Sequence, residues 1–178
     1  MPAPPPAAVT PAPVELTRGA VTGIDWIDAP ATGDVAGQVS AAWQLAQRDN
    51  RVLLVYVGAK WCEPCQLFHD TVKTGRLDTQ LAGLRLLAYD LDRDKDRLAL
   101  AGYTSDMIPL FAGTTPDGMA TQRKLAGAVK GAEAIGFIVP KLTRLLNGQR
   151  RFDLRLKLER EERLAMPLPA TATSPSVR

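Results

Sequence analysis

The sequence predicts an α/β sandwich, a central mixed β-sheet flanked by helices with an antiparallel hairpin at one edge. Three observations carry this. Two short apolar runs, VLLVYV over 52–57 and LRLLAY over 84–89, read as strands, the first apolar on both faces as a central strand covered by two layers must be. Segments with apolar residues at steps of three and four alternate with them. Thr115-Pro116-Asp117-Gly118 then separates two further strand-like stretches with a strong turn signal.

The 178 residues are 46% hydrophobic and 23% charged, which suits one globular domain of ordinary size. Six of the 14 prolines fall in residues 1–13 and three more in 166–178, so both ends lack the composition of a packed core. The expected organisation is a Pro/Ala-rich tether over 1–19, a domain over 20–148, a charged amphipathic extension over 149–165 and a disordered tail over 166–178.

Residues 22–30 (TGIDWIDAP) read as an opening strand or turn. From Val35 to Asn50 the apolar positions Val35, Val39, Ala42, Trp43 and Ala46 predict an amphipathic helix ended near Asp49-Asn50. After the 52–57 strand, Gly58-Ala59-Lys60 forms a short turn. CEPCQLFHDTVKTG follows with helical spacing through Cys65, Leu67 or Phe68, and Val72. The 84–89 strand ends in the acidic Asp90-Leu91-Asp92, and 94–103 is expected as a helix. Residues 108–112 and 119–125 form the strands of the hairpin. Ile135, Ile138, Val139, Leu142, Leu145 and Leu146 mark one face of a last helix, which Pro140 is expected to kink. Beyond it the tail is ambiguous. Phe152, Leu154, Leu156 and Leu158 alternate with the period of a one-sided strand, whereas EREERLAM favours helix.

Several function classes drop out. No uncharged apolar run approaches the roughly 18 residues of a membrane span. The net charge of +3 comes from 22 basic and 19 acidic residues spread along the chain, without the basic block or stripe that nucleic-acid binding usually shows, so charge names no partner. The two cysteines, Cys62 and Cys65, can form no disulfide framework beyond their own pair. With the single histidine, His69, the chain offers three soft or borderline ligands, too few for a closed zinc site without a carboxylate. No metal and no bound organic cofactor is expected.

The chemistry gathers at Trp61-Cys62-Glu63-Pro64-Cys65. Two cysteines three apart, at a turn that opens a helix, place their sulfurs close enough for a small disulfide ring. The first sulfur lies at the helix N-terminus, where unpaired N–H groups and the positive end of the dipole favour a thiolate. The thiolate is the attacking species, and a free thiol with a pKa of about 8.5 is mostly protonated at neutral pH. Cys62 is therefore the candidate nucleophile and Cys65, one turn inside, the resolving thiol.

VLLVYVGAKWCEPC, Ile108-Pro109 placed 44 residues past Cys65, and the PDG hairpin followed by Gly127 and a last helix together resemble the thioredoxin superfamily over roughly residues 20–148. The resemblance implies a thioredoxin-like fold with an extra N-terminal helix and a C-terminal extension. It also implies dithiol–disulfide exchange with protein substrates, a cis peptide bond at Pro109, and a substrate groove formed by Trp61, Glu63, Pro64, Ile108, Pro109 and Gly127. The helix before the first central strand and the GIDW segment look more like cell-envelope members, including the C-terminal domain of the bacterial disulfide-reductant transporter, than like minimal cytosolic thioredoxin.

The chain departs from that pattern. Where thioredoxins carry a buried aspartate and an opposing lysine, Tyr56 and Ala88 stand here, so no unpaired buried charge is left and the proton route ascribed to the aspartate is missing. Between the cysteines Glu63 replaces the family's glycine. Its carboxylate opposes a Cys62 anion and Lys60 offsets it, and the residues alone leave the balance open.

Other candidates carry plainer readings: His69 as a surface or packing residue, Gly127 as a turn or a point of substrate approach, and Asp90 and Asp92 as caps of the next helix. The expected function is that of a monomeric thiol:disulfide oxidoreductase, reductive in direction, exchanging disulfides with protein substrates and with an electron-donor or acceptor protein in cell redox homeostasis. The alternatives are a copper or other soft-metal module using the two thiols, and an inactive scaffold acting through residues 150–164. The start of the chain has no basic segment followed by an apolar one and is not a signal peptide as written. Its Pro/Ala composition resembles the tether left after removal of a signal or anchor, which favours the periplasm or cell envelope, with the cytoplasm as the alternative.

Overall fold

The computed structural model describes residues 21–166, so the tether expected over 1–19 and nearly all of the tail expected over 166–178 lie outside it. The elements are β1 (Asp25–Asp28), α1 (Val35–Arg48), β2 (Val52–Gly58), α2 (Glu63–Lys73), β3 (Leu84–Asp90), α3 (Leu91–Leu100), β4 (Leu110–Thr114), β5 (Ala120–Ala126) and α4 (Ala134–Ala165). One sheet runs in the order β1-β3-β2-β4-β5, with β1 and β2 parallel to β3 and the β4–β5 hairpin antiparallel.

Every residue of β2 is buried because the strand is central and covered on both faces. Its side chains alternate between two cores. Leu54 and Tyr56 face Phe68 of α2 and Ile138 and Leu142 of α4. Leu53, Val55 and Val57 face Val39 of α1 and Leu98 of α3. At one sheet edge Arg85, buried on β3, donates to Asp25 at 2.6 Å and to Asp49 at 2.7 Å, tying β1 and the end of α1 to the sheet.

Local chemistry sets the element ends. Asp34 caps α1 by accepting the Gly37 amide at 2.6 Å. Asp90 accepts the amides of Asp92 and Arg93, so α3 begins at Leu91, three residues before the expected start at 94, and it closes ahead of Gly102, which sits at φ +80°. The hairpin strands start one or two residues later than expected, because Pro109 has no amide to give to a ladder and β4 opens only after it. Gly118 closes the hairpin turn at φ +85° with its Cα hard against the Ala36 backbone of α1, a place no side chain fits.

Of the two readings of the C-terminal region, strand and helix, the structure shows helix: residues 149–165 continue α4, which runs on past Pro140 to Ala165. The alternation of Phe152, Leu154, Leu156 and Leu158 is overridden by two polar residues one turn apart. Gln149 and Asp153 are buried, and the Gln149 amide donates to the Thr114 carbonyl at 2.7 Å and to Asp153 at 2.9 Å. The Trp43 indole of α1 donates to Asp153 at 3.2 Å. The boundary expected at 148 thus falls inside a packed helix.

Asp153 is an expensive residue to bury, and among the described residues its second carboxylate oxygen has no hydrogen-bond partner. Burial pushes the carboxyl above its ordinary value, opposed by the Trp43, Gln149 and Gln47 donors and by the Arg123 charge. The native state therefore holds a proton more tightly than the unfolded chain, and stability falls as pH rises from the ordinary carboxylate value through the raised one. Asp153→Asn removes the charge and keeps the shape. It is expected to stabilise the protein by about 1 kcal/mol at pH 7 and by little at pH 4. Urea titrations at the two pH values check this, and a loss of stability at pH 7 is the contrary result.

Candidate functional site

The candidate site lies where β2 ends and α2 begins. The Ala59 carbonyl accepts the Cys62 amide at 3.1 Å, closing a turn that delivers Cys62 to the N-cap of α2. There the Cys62 sulfur takes the place a serine or aspartate oxygen takes in other helices, accepting the Cys65 amide at 3.3 Å. Glu63 and Pro64 form the first turn, where proline's missing amide costs nothing. Cys65 follows on the buried face with Phe68 and Val72. Cys62 and Cys65 are joined as a disulfide, with an S–S distance of 2.07 Å.

Exposure hardly separates the two cysteines. Cys62 is 5% exposed and Cys65 3% in the disulfide state. Position does separate them, because only the Cys62 sulfur caps the helix and receives the dipole's positive end.

Around the pair stand the other residues expected from the sequence. Trp61 is 65% exposed beside Cys62, and its indole donates to the Asp92 carboxylate at 2.9 Å, reaching across to the first turn of α3. Glu63 accepts the Gly131 amide at 3.1 Å, which pins the loop between β5 and α4 against the start of α2. Pro64 is buried in the first turn of α2. The Ile108–Pro109 bond is cis, and Ile108 packs against the buried cluster that holds both cysteines. The Gly127 amide donates to the Pro109 carbonyl at 2.9 Å. Gly127 takes φ +73°, and a Cβ there would stand 3.2 Å from the Met107 side chain. Met107 itself is 61% exposed and was not singled out from the sequence.

Two further contacts escaped the sequence reading. Asp90 caps α3 as expected, but Asp92 holds Trp61, a pairing 31 residues long that no local pattern signals. Met107 carries no motif at all and matters only because it lies beside Gly127.

The Tyr56 and Ala88 substitutions face one another in the β2–β3 register, as expected. Tyr56 is buried, its ring 4.8 Å from that of Trp26 and 5.3 Å from that of Phe111. Burial pushes its phenol well above the ordinary value, so it stays a neutral hydroxyl and cannot act as a base toward Cys65 at physiological pH. His69 packs edge-on against Trp26, ring centres 4.9 Å apart, in the packing role expected of it. Among the described residues no group of three or more histidine, cysteine or carboxylate side chains is gathered to hold a metal ion. No helix of the described residues is long and apolar enough to cross a membrane.

No family model matches the chain, and no curated protein matches it. Among solved structures it is similar to a mutant thioredoxin from Halobacterium salinarum NRC-1, at 18% identity over 72% of this chain and 91% of that one, with a TM-score of 0.44. It is also similar to thioredoxin O1 from Arabidopsis thaliana in the oxidized state, at 18% identity over 71% of this chain and 96% of that one, with a TM-score of 0.43. A wild-type thioredoxin h from poplar is 25% identical over 61% of this chain and 86% of that one, with a TM-score of 0.38. Strand order β1-β3-β2-β4-β5, a Cys-x-x-Cys pair where β2 meets α2, and a cis-proline opening β4 give this chain a thioredoxin-like α/β fold.

Proposed function

We propose that the protein is a thiol:disulfide oxidoreductase that reduces disulfides in protein substrates through Cys62 and Cys65. The observation that supports this most directly is the Cys62 sulfur at the N-cap of α2, accepting the Cys65 amide while bonded to the Cys65 sulfur. One sulfur is held where a thiolate is stabilised and a second is within bonding reach.

The exchange starts from the dithiol. The Cys62 thiolate attacks one sulfur of a substrate disulfide, the substrate S–S bond breaks, and the departing thiolate takes a proton from water. The Cys65 thiol loses its proton to water and attacks the Cys62 sulfur. The mixed disulfide breaks and the substrate's second sulfur leaves as a thiolate, which takes a proton back from water. Two electrons have passed from the cysteine pair to the substrate, and a protein dithiol donor restores the pair by the same exchange in reverse. This chemistry needs no bound organic cofactor.

Trp61, Glu63, Pro64, Ile108, Pro109 and Gly127 form the substrate surface in this reading. The Ile108 backbone, beside the cis bond, pairs with an extended substrate segment, and Gly127 keeps the approach open. The protein acts as a monomer, and a place in the periplasm or cell envelope is part of the proposal, supported by the Pro/Ala composition of residues 1–19.

Cys65→Ser tests the mechanism, because it removes the resolving thiol and leaves the attacking one. Incubated with oxidised protein substrates, the variant is expected to accumulate covalent complexes that dithiothreitol releases and that are missing when Cys62 is also replaced. Stoichiometric Cu(I) binding by the wild type together with no reduction of insulin disulfides would favour the metal-carrier reading instead.

A further inference from the structure

Charged residues that look scattered along the sequence come together on one side of the fold. Lys141, Arg144, Gly148, Arg151 and Arg155 follow one another along α4 at steps of three, four, three and four, which puts them on one helix face. That face lines two shallow depressions of about 410 and 310 Å³ alongside β5, and Arg123 of β5 borders both. Helix and strand meet at Gly148, where a Cβ would stand in ordinary contact with the Arg123 side chain, 3.5 Å from its Cδ. Arg123 stacks over the Phe152 ring at 5.0 Å, and Leu125 and Leu145 complete an apolar floor. Among the described residues no acidic side chain lines either depression. Glu159, 4.0 Å from Arg155, stands at the far end.

We propose that this groove is a second interaction surface, and that it binds an extended acidic segment of a partner protein lying alongside β5. Three observations select this occupant. Six cationic residues line the groove; Lys124 donates its ammonium to the Gly102 carbonyl, which leaves Arg123, Lys141, Arg144, Arg151 and Arg155, with no carboxylate among the described lining residues to neutralise them. The stripe from 141 to 155 is about 21 Å long at 1.5 Å per residue, the span of an extended segment of about six residues. Finally, among the described residues β5 is an edge strand that pairs only with β4, so an extended chain beside it meets main-chain donors and acceptors as well as charge. Single-stranded nucleic acid fits less well. Among the described lining residues the aromatic ring is that of Phe152, and it is already covered by Arg123 at 5.0 Å, so it offers no free platform for bases.

Fluorescence anisotropy of the full chain with a fluorescein-labelled ten-residue peptide of alternating glutamate and valine tests this. The wild type is expected to bind it, with affinity falling about tenfold or more between 50 and 200 mM salt, because most of the attraction is between exposed charges. Arg144→Glu together with Arg151→Glu, both exposed positions, is expected to weaken binding by about tenfold or more. Circular dichroism of the double variant should be unchanged, and so should insulin reduction by its Cys62–Cys65 pair. The proposal is overturned if the folded double variant binds the peptide as the wild type does, or if the wild type binds a lysine–valine peptide equally well. It is equally overturned if an oligodeoxythymidylate of matched charge, or phosphatidylglycerol vesicles, binds more tightly and through the same two arginines.

Discussion

Replacing Cys62 by serine is expected to lower the rate of insulin-disulfide reduction by about a thousandfold or more, down to the background of the assay's reductant. A serine hydroxyl at the α2 N-cap keeps the hydrogen bond from the Cys65 amide, and serine is a favoured cap, so the fold should survive. What disappears is the thiolate. A hydroxyl is scarcely ionised at neutral pH, and no base stands behind it: Tyr56 is held as a neutral phenol and His69 is turned to Trp26. An insulin turbidity assay coupled to a dithiol donor measures the loss, and thermal unfolding shows whether the fold is intact. The companion measurement is alkylation of the reduced wild type by iodoacetamide, followed by peptide mass mapping. Cys62 is expected to react faster than Cys65, because its sulfur alone caps the helix. Equal or reversed labelling, or a serine variant that still reduces insulin, would sink the proposed exchange whatever the fold.

Asp94→Ala is expected to cost about 3–5 kcal/mol of stability, the largest single loss among the polar residues. Asp94 is fully buried at the start of α3. It accepts from Arg93 at 2.8 Å, from Arg97 at 2.8 Å and from the Asp90 amide at 3.1 Å. Arg97, oriented by that carboxylate, in turn donates to the carbonyls of Pro30 and Gly33, which fixes the loop between β1 and α1. Removing the carboxylate leaves the mostly buried Arg97 without its charged partner, returns the half-exposed Arg93 to water, and frees a loop that Arg97 organises. At about 2–4 °C per kcal/mol for a chain of this size, the melting temperature should fall by about 10 °C.

The pH dependence gives the mechanism a signature. Burial alone would raise the Asp94 carboxyl, but the bonds from Arg93, Arg97 and the Asp90 amide outweigh it and hold the group below the ordinary carboxylate value. A carboxyl whose folded value is depressed adds stability that is fully present above the unfolded value near 3.9. That stability drains away as pH falls through the folded value. The wild type and Asp94→Ala should therefore differ fully at pH 7 and converge as the pH is lowered below about 4. A constant difference between pH 7 and pH 3 would show that the side chain acts by packing and not by charge. Asp94 and Asp153 thus pull in opposite directions with pH, one paired on every side and the other left with an orphaned oxygen.

Much of the site was legible because its chemistry is local. A strand that must be apolar on both faces, a turn too short to wander, and two cysteines one helical turn apart constrain one another within 14 residues, from Val52 to Cys65. The Asp90 cap, the Thr115–Gly118 turn and the α1 stripe are likewise decided within a few residues, and each stands within about three residues of its expected place. The Tyr56–Ala88 pairing was legible too, because parallel register follows once both strands are placed.

What the chain by itself determined was therefore the order of strands and helices, the central position of VLLVYV, and the placing of Cys62 and Cys65 at a helix tip. These depend on hydrophobic period, turn chemistry and capping, which act over one or two turns of backbone. Tertiary structure alone decided that residues 149–165 extend α4, that Asp92 restrains Trp61, that Met107 lies against Gly127, and that five scattered cations form one groove. In each case the partners are brought together by the sheet and its helices across up to 110 residues of chain, as Trp43 and Asp153 are. Packing of distant surfaces carries no periodic trace in the sequence, so it becomes visible only when the layers close.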